Sequence, residues 1–243
     1  MKPETIYLVR HGESQGNVDK SIYKDVPDYA LQLTPKGVEQ AITVGSELSQ
    51  LIPCGGICDV QFYVSPFWRT RQTYLHIAKN FPFNQIRYYE DPRLREQEWG
   101  QDMVARTGYS EDRESARDAY GHFYYRFQDG ESCADVYDRV SDFMGTMFRD
   151  FEKPDYPRNV VIVTHGMTMR LFLMRFFHVS VEEFESWANP RNCGYYALQR
   201  QGNDKYKLAS PLRRHVIRHK YQFPINEVDR GYFKYPHTFS YEH

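Results

Sequence analysis

Arg10-His11-Gly12 near the start of the chain, Arg69 in its first third and His165-Gly166 in its second half are the residues whose chemistry stands out. A guanidinium offers a planar fork of donors matched to phosphate or carboxylate oxygens. Imidazoles change charge near neutrality and serve in proton and group transfer. Two guanidiniums and two imidazoles brought together would form a strongly positive pocket. Its ligand must then carry negative charge, and phosphate is the natural candidate. The charge-dense run Asp91–Gly100 adds carboxylates, with Glu96 the best candidate to approach such a ligand. Taken singly, each group has a plainer reading, a surface arginine or a packed histidine after a strand.

Convergence requires elements that deliver these groups to one place. Ile6-Tyr7-Leu8-Val9 is a short apolar run that reads as a buried strand ending in Arg10-His11. Val60–Val64 is a second strand, ending at Ser65-Pro66, and a helix from Phe67 to Leu75 carries Arg69. Val160–Val163 is a continuous apolar run typical of a central parallel strand. It ends at Thr164-His165-Gly166 and leads into an apolar helix, Met167–Phe177. In a parallel α/β sheet such strand ends share one edge, where ligands bind. Ile86–Tyr89 reads as a further strand before the Asp91–Gly100 loop.

Between them, Thr34-Pro35 predicts an N-cap and first turn for a helix with an apolar face of Val38, Ala41, Ile42, Leu48 and Leu51, stopped by Pro53 and Gly55-Gly56. Asn17–Leu33 reads as a polar loop, and Glu111–Tyr125 as a helix. Ser132 with Asp135 resembles a capping box that opens an amphipathic helix through Val136, Val140, Phe143, Met147 and Phe151. Tyr195–Leu198 and Tyr206–Leu208 read as strands paired through Gly202-Asn203-Asp204. Strands alternating with helices imply a layered α/β domain with a largely parallel sheet. The expected division is a domain over residues 1–210 and an extension over 211–243 that packs on it or is partly flexible.

The 243 residues are 41% hydrophobic and 26% charged, enough for a sizeable core. A net charge of -1 gives no pull toward nucleic acid or a membrane surface. No apolar run approaches the length of a membrane span, so no membrane insertion is expected. The first strand begins within a few residues of Met1, so no cleavable leader is expected. Cys54, Cys58, Cys133 and Cys193 are too scattered for a disulfide framework, so reduced thiols and a cytoplasmic setting are expected. Cys54 and Cys58 lack two further soft ligands at zinc-site spacing. A homodimer is compatible with this composition but not specified by it.

Leu8-Val9-Arg10-His11-Gly12-Glu13-Ser14 with Asn17 resembles the first signature of the histidine phosphatase superfamily, the phosphoglycerate mutase-like family. Leu33-Thr34, Gly37, Gln40 and Ala41 resemble its first-helix pattern, and Ser65-Pro66, Arg69, Gln72 and Thr73 its second signature. Leu94, Glu96 and Gly100, then Gly130-Glu131-Ser132, Arg139 and Val163-Thr164-His165-Gly166, complete the ordered set over residues 5–200. The resemblance implies a three-layer α/β/α sandwich with a mostly parallel central sheet. It further implies a small phosphorylated substrate and a phosphohistidine formed on His11. Arg10, Arg69, His165 and Asn17 would hold the phosphoryl oxygens, with Ser14 and Gly166 among the substrate-binding residues. Glu96, favoured over Glu98 by the Leu94-x-Glu96 register, would be the general acid and then the base. No cofactor and no metal are implied, because the arginines and His165 take the electrostatic role.

The family contains mutases and phosphatases. Glycolytic mutases carry an Arg-Arg-Ser-Tyr stretch after the third motif, which this chain lacks. Its Phe123-Tyr124-Tyr125-Arg126-Phe127 is similar to the corresponding region of plant and fungal mutase-like proteins regarded as phosphatases. The expected activity is phosphomonoester hydrolysis. The alternatives are mutase-type phosphoryl transfer and a catalytically weak phospho-ligand binding protein. Arg71, Arg93 and Arg95 are expected in solvent or in salt bridges, and Trp68 and Trp99 in packing.

Overall fold

The computed structural model describes residues 2–52, 60–100, 111–202 and 205–214. Six strands, β1 Thr5–Arg10, β2 Val60–Val64, β3 Ile86–Glu90, β4 Asn159–Thr164, β5 Tyr195–Arg200 and β6 Tyr206–Leu208, form one sheet in the order β3-β2-β4-β1-β5-β6. The first four are mutually parallel, whereas β5 runs antiparallel to β1 and β6 antiparallel to β5. Helices cover both faces. Ile6, Leu8, Val160, Ile162 and Leu198 point one way, onto α5 (Cys133–Asp150) and α6 (Gly166–Phe177). Tyr7, Val9, Phe62, Val161 and Val163 point the other way, onto α2 (Pro35–Leu51) and α3 (Trp68–Ala78). Burial on both faces explains why β4 is an unbroken apolar run rather than an alternating one. The result is the three-layer α/β/α sandwich expected from the sequence. Among the described residues, no helix is long and apolar enough to cross a membrane.

Local sequence accounts for most boundaries. The Thr34 side chain accepts from the Gly37 amide, and Pro35 occupies the first turn of α2. Ser132 and Asp135 form the anticipated capping box: the Ser132 amide donates to Asp135 and the Asp135 amide to Ser132. Two expectations need correction. Asn17–Leu33 is not plain loop, because it takes in the end of α1 (Gln15–Val18) and 3-10 turns at Lys20–Lys24 and Asp28–Ala30. Turns this short have no room for an apolar period; they rest on local caps such as Asp19, whose side chain accepts from the Ser21 amide. The helix α4 spans Glu111–Tyr120 rather than reaching Tyr125, because Gly121 takes a φ of +99° and leaves the helical path. Cys54 and Cys58 lie outside the described residues, as does the extension beyond residue 214, whereas Cys133 and Cys193 are free and buried.

α2 starts directly over the His11 turn, and two glycines permit that crossing. A Cβ on Gly12 would lie 2.5 Å from the Gly37 carbonyl oxygen, and one on Gly37 would lie 2.0 Å from the Glu13 carbonyl oxygen. Both obstacles are backbone, so neither can yield by a rotamer change. Gly37→Ala is therefore expected to lower stability by about 2 kcal/mol or more, the upper range for overpacking. A urea midpoint unchanged from wild type would show that the helix can lift away freely.

Candidate active site

Three parallel strands, adjacent as β2-β4-β1, end at the same edge of the sheet. Arg10 pairs in register with Thr164, so the next residues, His11 and His165, emerge side by side. The His11 amide donates to the Thr164 carbonyl and the Ser65 amide to the Val163 carbonyl, which extends the ladder one residue into the site. The two imidazole centroids lie 5.2 Å apart, edge to face. His11 is 3% exposed and His165 is fully buried.

Each ring has one nitrogen committed. His11 Nδ1 lies 2.7 Å from the Gly12 carbonyl oxygen, which can only accept, so Nδ1 carries the proton and Nε2 keeps its lone pair. Burial first, then the charges of Arg69 and Arg10, hold the His11 pKa well below its ordinary value. Both influences favour the neutral ring, whose lone pair is then at Nε2. His165 Nε2 lies 2.7 Å from Ser65 Oγ, while its buried Nδ1 has no partner among the described residues. Accepting from the serine hydroxyl at Nε2 leaves Nδ1–H as a donor.

Arg10 uses Nη1 to donate to the Pro190 carbonyl, and its buried Nε has no partner among the described residues. Arg69 is 4% exposed and lies over the Phe67 ring, 4.9 Å from its centroid; that ring in turn meets His165 at 5.1 Å. Asn17 accepts at Oδ1 from the Ser14 amide, Ser14 Oγ and Asn192 Nδ2, which leaves its own amide NH2 as a donor. Ser14 thus orients Asn17. Gly166 opens α6 and packs against Asn189, where a Cβ would lie 2.9 Å from Cγ. Its helix presents first-turn amides with no intrahelical acceptor. The Gly12 amide does not remain free for an anion, because it donates to Thr73 Oγ1.

Glu96 stands on the loop after β3. Burial, the largest influence, raises its carboxyl pKa against the opposing pull of Arg69, the Gln97 amide and Arg10. The loop is pinned on every side. Arg139 donates to the carbonyls of Arg93, Arg95 and Glu96, and forms a two-point ion pair with Glu131. Thr164 and Thr168 hydroxyls donate to the Leu94 and Arg95 carbonyls. Glu98 is exposed and Glu96 is not, so Glu96 is the carboxylate that stands with the arginines.

Arg71 pairs with Glu90, Arg93 with Asp91 and Arg95 with Glu131, as their surroundings in the sequence suggested. Phe123 and Phe127 are buried in packing, the latter 4.7 Å from Trp99, while Tyr124 is exposed. Trp68 is exposed, with Arg71 over its ring. Sequence reasoning missed three contributors. Asp28 pairs with Arg69, Ser65 holds His165, and the turn Pro190–Gly194 braces Arg10, His11 and Asn17. Ser65 stood in a recognised motif, but Asp28 and Asn192 sit in stretches that carry no periodic or motif signal. Arg170 was also missed. It is buried against Phe184, 4.5 Å from the ring centroid, and burial lowers its pKa to about 10. Among the described residues, no cluster of three or more His, Cys, Asp or Glu is placed to hold a metal ion.

With the geometry in place, comparison with known proteins is informative. A family model described as "Histidine phosphatase superfamily (branch 1)" matches residues 6–210. The chain is 41% identical over 217 residues to the phosphoglycerate mutase-like protein AT74 of Arabidopsis thaliana, covering 85% of this chain and 68% of that protein. It is 26% identical to the broad-range acid phosphatase DET1 of Saccharomyces cerevisiae, covering 89% of each. Among solved structures, a mycobacterial glucosyl-3-phosphoglycerate phosphatase in complex with VO3 superposes with a TM-score of 0.66 at 18% identity. That match covers 86% of this chain and 99% of the other and shows a shared fold.

Proposed function

Because this chain belongs to the histidine phosphatase superfamily, branch 1, we propose that it hydrolyses small phosphomonoesters through a phosphohistidine on His11. The observation that carries this reading is the committed tautomer of His11. Its Nδ1–H is spent on the Gly12 carbonyl, which leaves the lone pair on Nε2, and the ring stands beside His165 under the charges of Arg69 and Arg10. Nε2 attacks phosphorus in line, forming the P–N bond as the P–O bond to the leaving group breaks. Arg10, Arg69, His165 Nδ1 and the Asn17 amide take the phosphoryl oxygens, with the first amides of α6 at Gly166. Donors fixed in this way before reaction act where charge is greatest. Glu96 gives its proton to the departing oxygen. It then removes one from the water that breaks the P–N bond, which returns Glu96 to its acid form.

Metal independence is part of the proposal, since the guanidiniums and His165 supply the charge that a cation otherwise would. A single domain over residues 1–210 and a cytoplasmic setting, in keeping with the free thiols Cys133 and Cys193, complete it. The resemblance to a broad-range acid phosphatase supports tolerance of several substrates. Mutase-type transfer is the second reading, favoured by 30% identity over 192 residues to a 2,3-bisphosphoglycerate-dependent phosphoglycerate mutase of Bartonella bacilliformis. A panel of phosphorylated metabolites, assayed for phosphate release and for isomerisation of 3-phosphoglycerate with and without a chelator, separates the readings. Hydrolysis unaffected by the chelator is expected. Efficient isomerisation without phosphate release would make the protein a mutase, and loss of activity on chelation would require a metal.

A further inference from the structure

Arg69 divides its donors in a way the catalytic scheme does not require. Nη1 donates to the Asp28 carbonyl oxygen at 2.6 Å and to Asp28 Oδ1 at 3.0 Å, and Nη2 donates to Oδ2 at 3.3 Å. Both side chains are withdrawn from solvent, Arg69 at 5% and Asp28 at 13% exposure. A guanidinium carries five N–H groups in one rigid plane. Asp28 occupies its end-on fork, which leaves the side-on edge, Nε with the outer proton of Nη2, outside that pair. The Phe67 ring covers one face of the plane. The group is thus held at its end and on one face, while its charge acts on both His11 and His165.

Asp28 belongs to neither the sheet nor a long helix. It opens the 3-10 turn Asp28–Ala30 directly after Pro27, and the next residue, Leu31, is completely buried. That anchor fixes the turn against the domain and fixes the carboxylate with it. A carboxylate this near an anion site repels the substrate, so it must contribute something that offsets the repulsion. We propose that Asp28 is a positioning residue that grips Arg69 end-on, so that the side-on edge of the guanidinium is presented to the transferring phosphoryl group. The proposal rests on the phosphatase reading of the site. Orientation of a reacting partner is worth large rate factors, and small misplacements can lose up to about a hundredfold.

The test is a double-mutant cycle. Asp28→Ala and Asp28→Asn are made in the wild type and in Arg69→Ala. Each is assayed for kcat/KM on an aryl phosphomonoester, for the Kd of inorganic phosphate by calorimetry, and for Tm. Asp28→Ala is expected to lower kcat/KM about thirtyfold and to weaken phosphate several-fold. Asp28→Asn, which keeps one acceptor and the same shape, falls between it and wild type. In the Arg69→Ala background the same changes are expected to shift both quantities by less than about twofold, because coupled residues lose their effect together. Equal losses in both backgrounds, or a lowered Tm with unchanged kcat/KM and Kd, would overturn the proposal. So would tighter phosphate binding by Asp28→Asn, which would make Asp28 a charge brake instead. The phosphate arm needs no turnover. A wild type that binds phosphate but hydrolyses nothing defeats the phosphatase reading, and its phosphate affinities still show whether Asp28 acts through Arg69.

Discussion

His11→Ala is expected to abolish turnover, with kcat falling by roughly 10⁴-fold or more on any phosphomonoester, since removal of a covalent nucleophile leaves only the surrounding binding groups. The fold should persist, because His11 follows β1 and, among the described residues, its ring makes only a hydrogen bond with the Gly12 carbonyl and an edge-to-face contact with His165. Wild type quenched during turnover should carry a phosphoryl group that is stable in base and labile in acid, as expected of a phosphoramidate, and His11→Ala should carry none. His165→Ala gives the contrast. It should lose activity by less, about 10²–10³-fold as for one lost transition-state donor, and still form the intermediate. Unchanged turnover in His11→Ala would remove this residue from the mechanism.

Glu96→Gln is expected to lower kcat by about 10²–10⁴-fold, the range for a positioned general acid or base. It should also reshape the pH profile, and the sign follows from the two shifts. His11 must be neutral, and its pKa is depressed, first by burial, so activity is lost only as pH falls through that lowered value. Glu96 must be protonated when the ester binds, and burial raises its pKa, so activity is lost as pH rises through the raised value. The profile is therefore a bell, bounded below by the lowered His11 and above by the raised Glu96. In Glu96→Gln the alkaline fall should disappear, because glutamine has no proton to lose. Esters with good aryl leaving groups should suffer least, since they need no proton to depart. A kcat/KM profile for Glu96→Gln that keeps the alkaline limb would show that another group titrates there.

The sheet was legible because strands buried on both faces announce themselves. Val60–Val64 and Val160–Val163 are short, apolar and bounded by breakers, and each falls in its strand with ends shifted by one residue at most. The positions of Arg10-His11 and His165 at strand ends followed from that reading and from parallel order. The direction of β5 did not, because Tyr195–Leu198 has the same residue content whichever way it runs. Asp28 and Asn192 were illegible for a related reason. Their importance lies in what they touch, Arg69 at 41 positions' separation and Asn17 at 175, and no local period encodes a distant contact. Arg170 reads as one of two cations in an apolar helix and becomes notable only when the structure withdraws it from water.

The antiparallel course of β5 has a consequence for where the protein can be cut. Because that strand starts at the edge where β1 ends, the turn entering it, Pro190–Gly194, forms one wall behind His11. This wall has its own outside support. The Ala188 amide donates to the Arg213 carbonyl, Arg213 Nη1 donates to the Asn189 carbonyl, and Trp187 pairs with Arg214. Shortening the chain to residue 210, where the family model's match ends, would leave His11, Arg10, Arg69, Glu96 and His165 in place and take away the strut behind them.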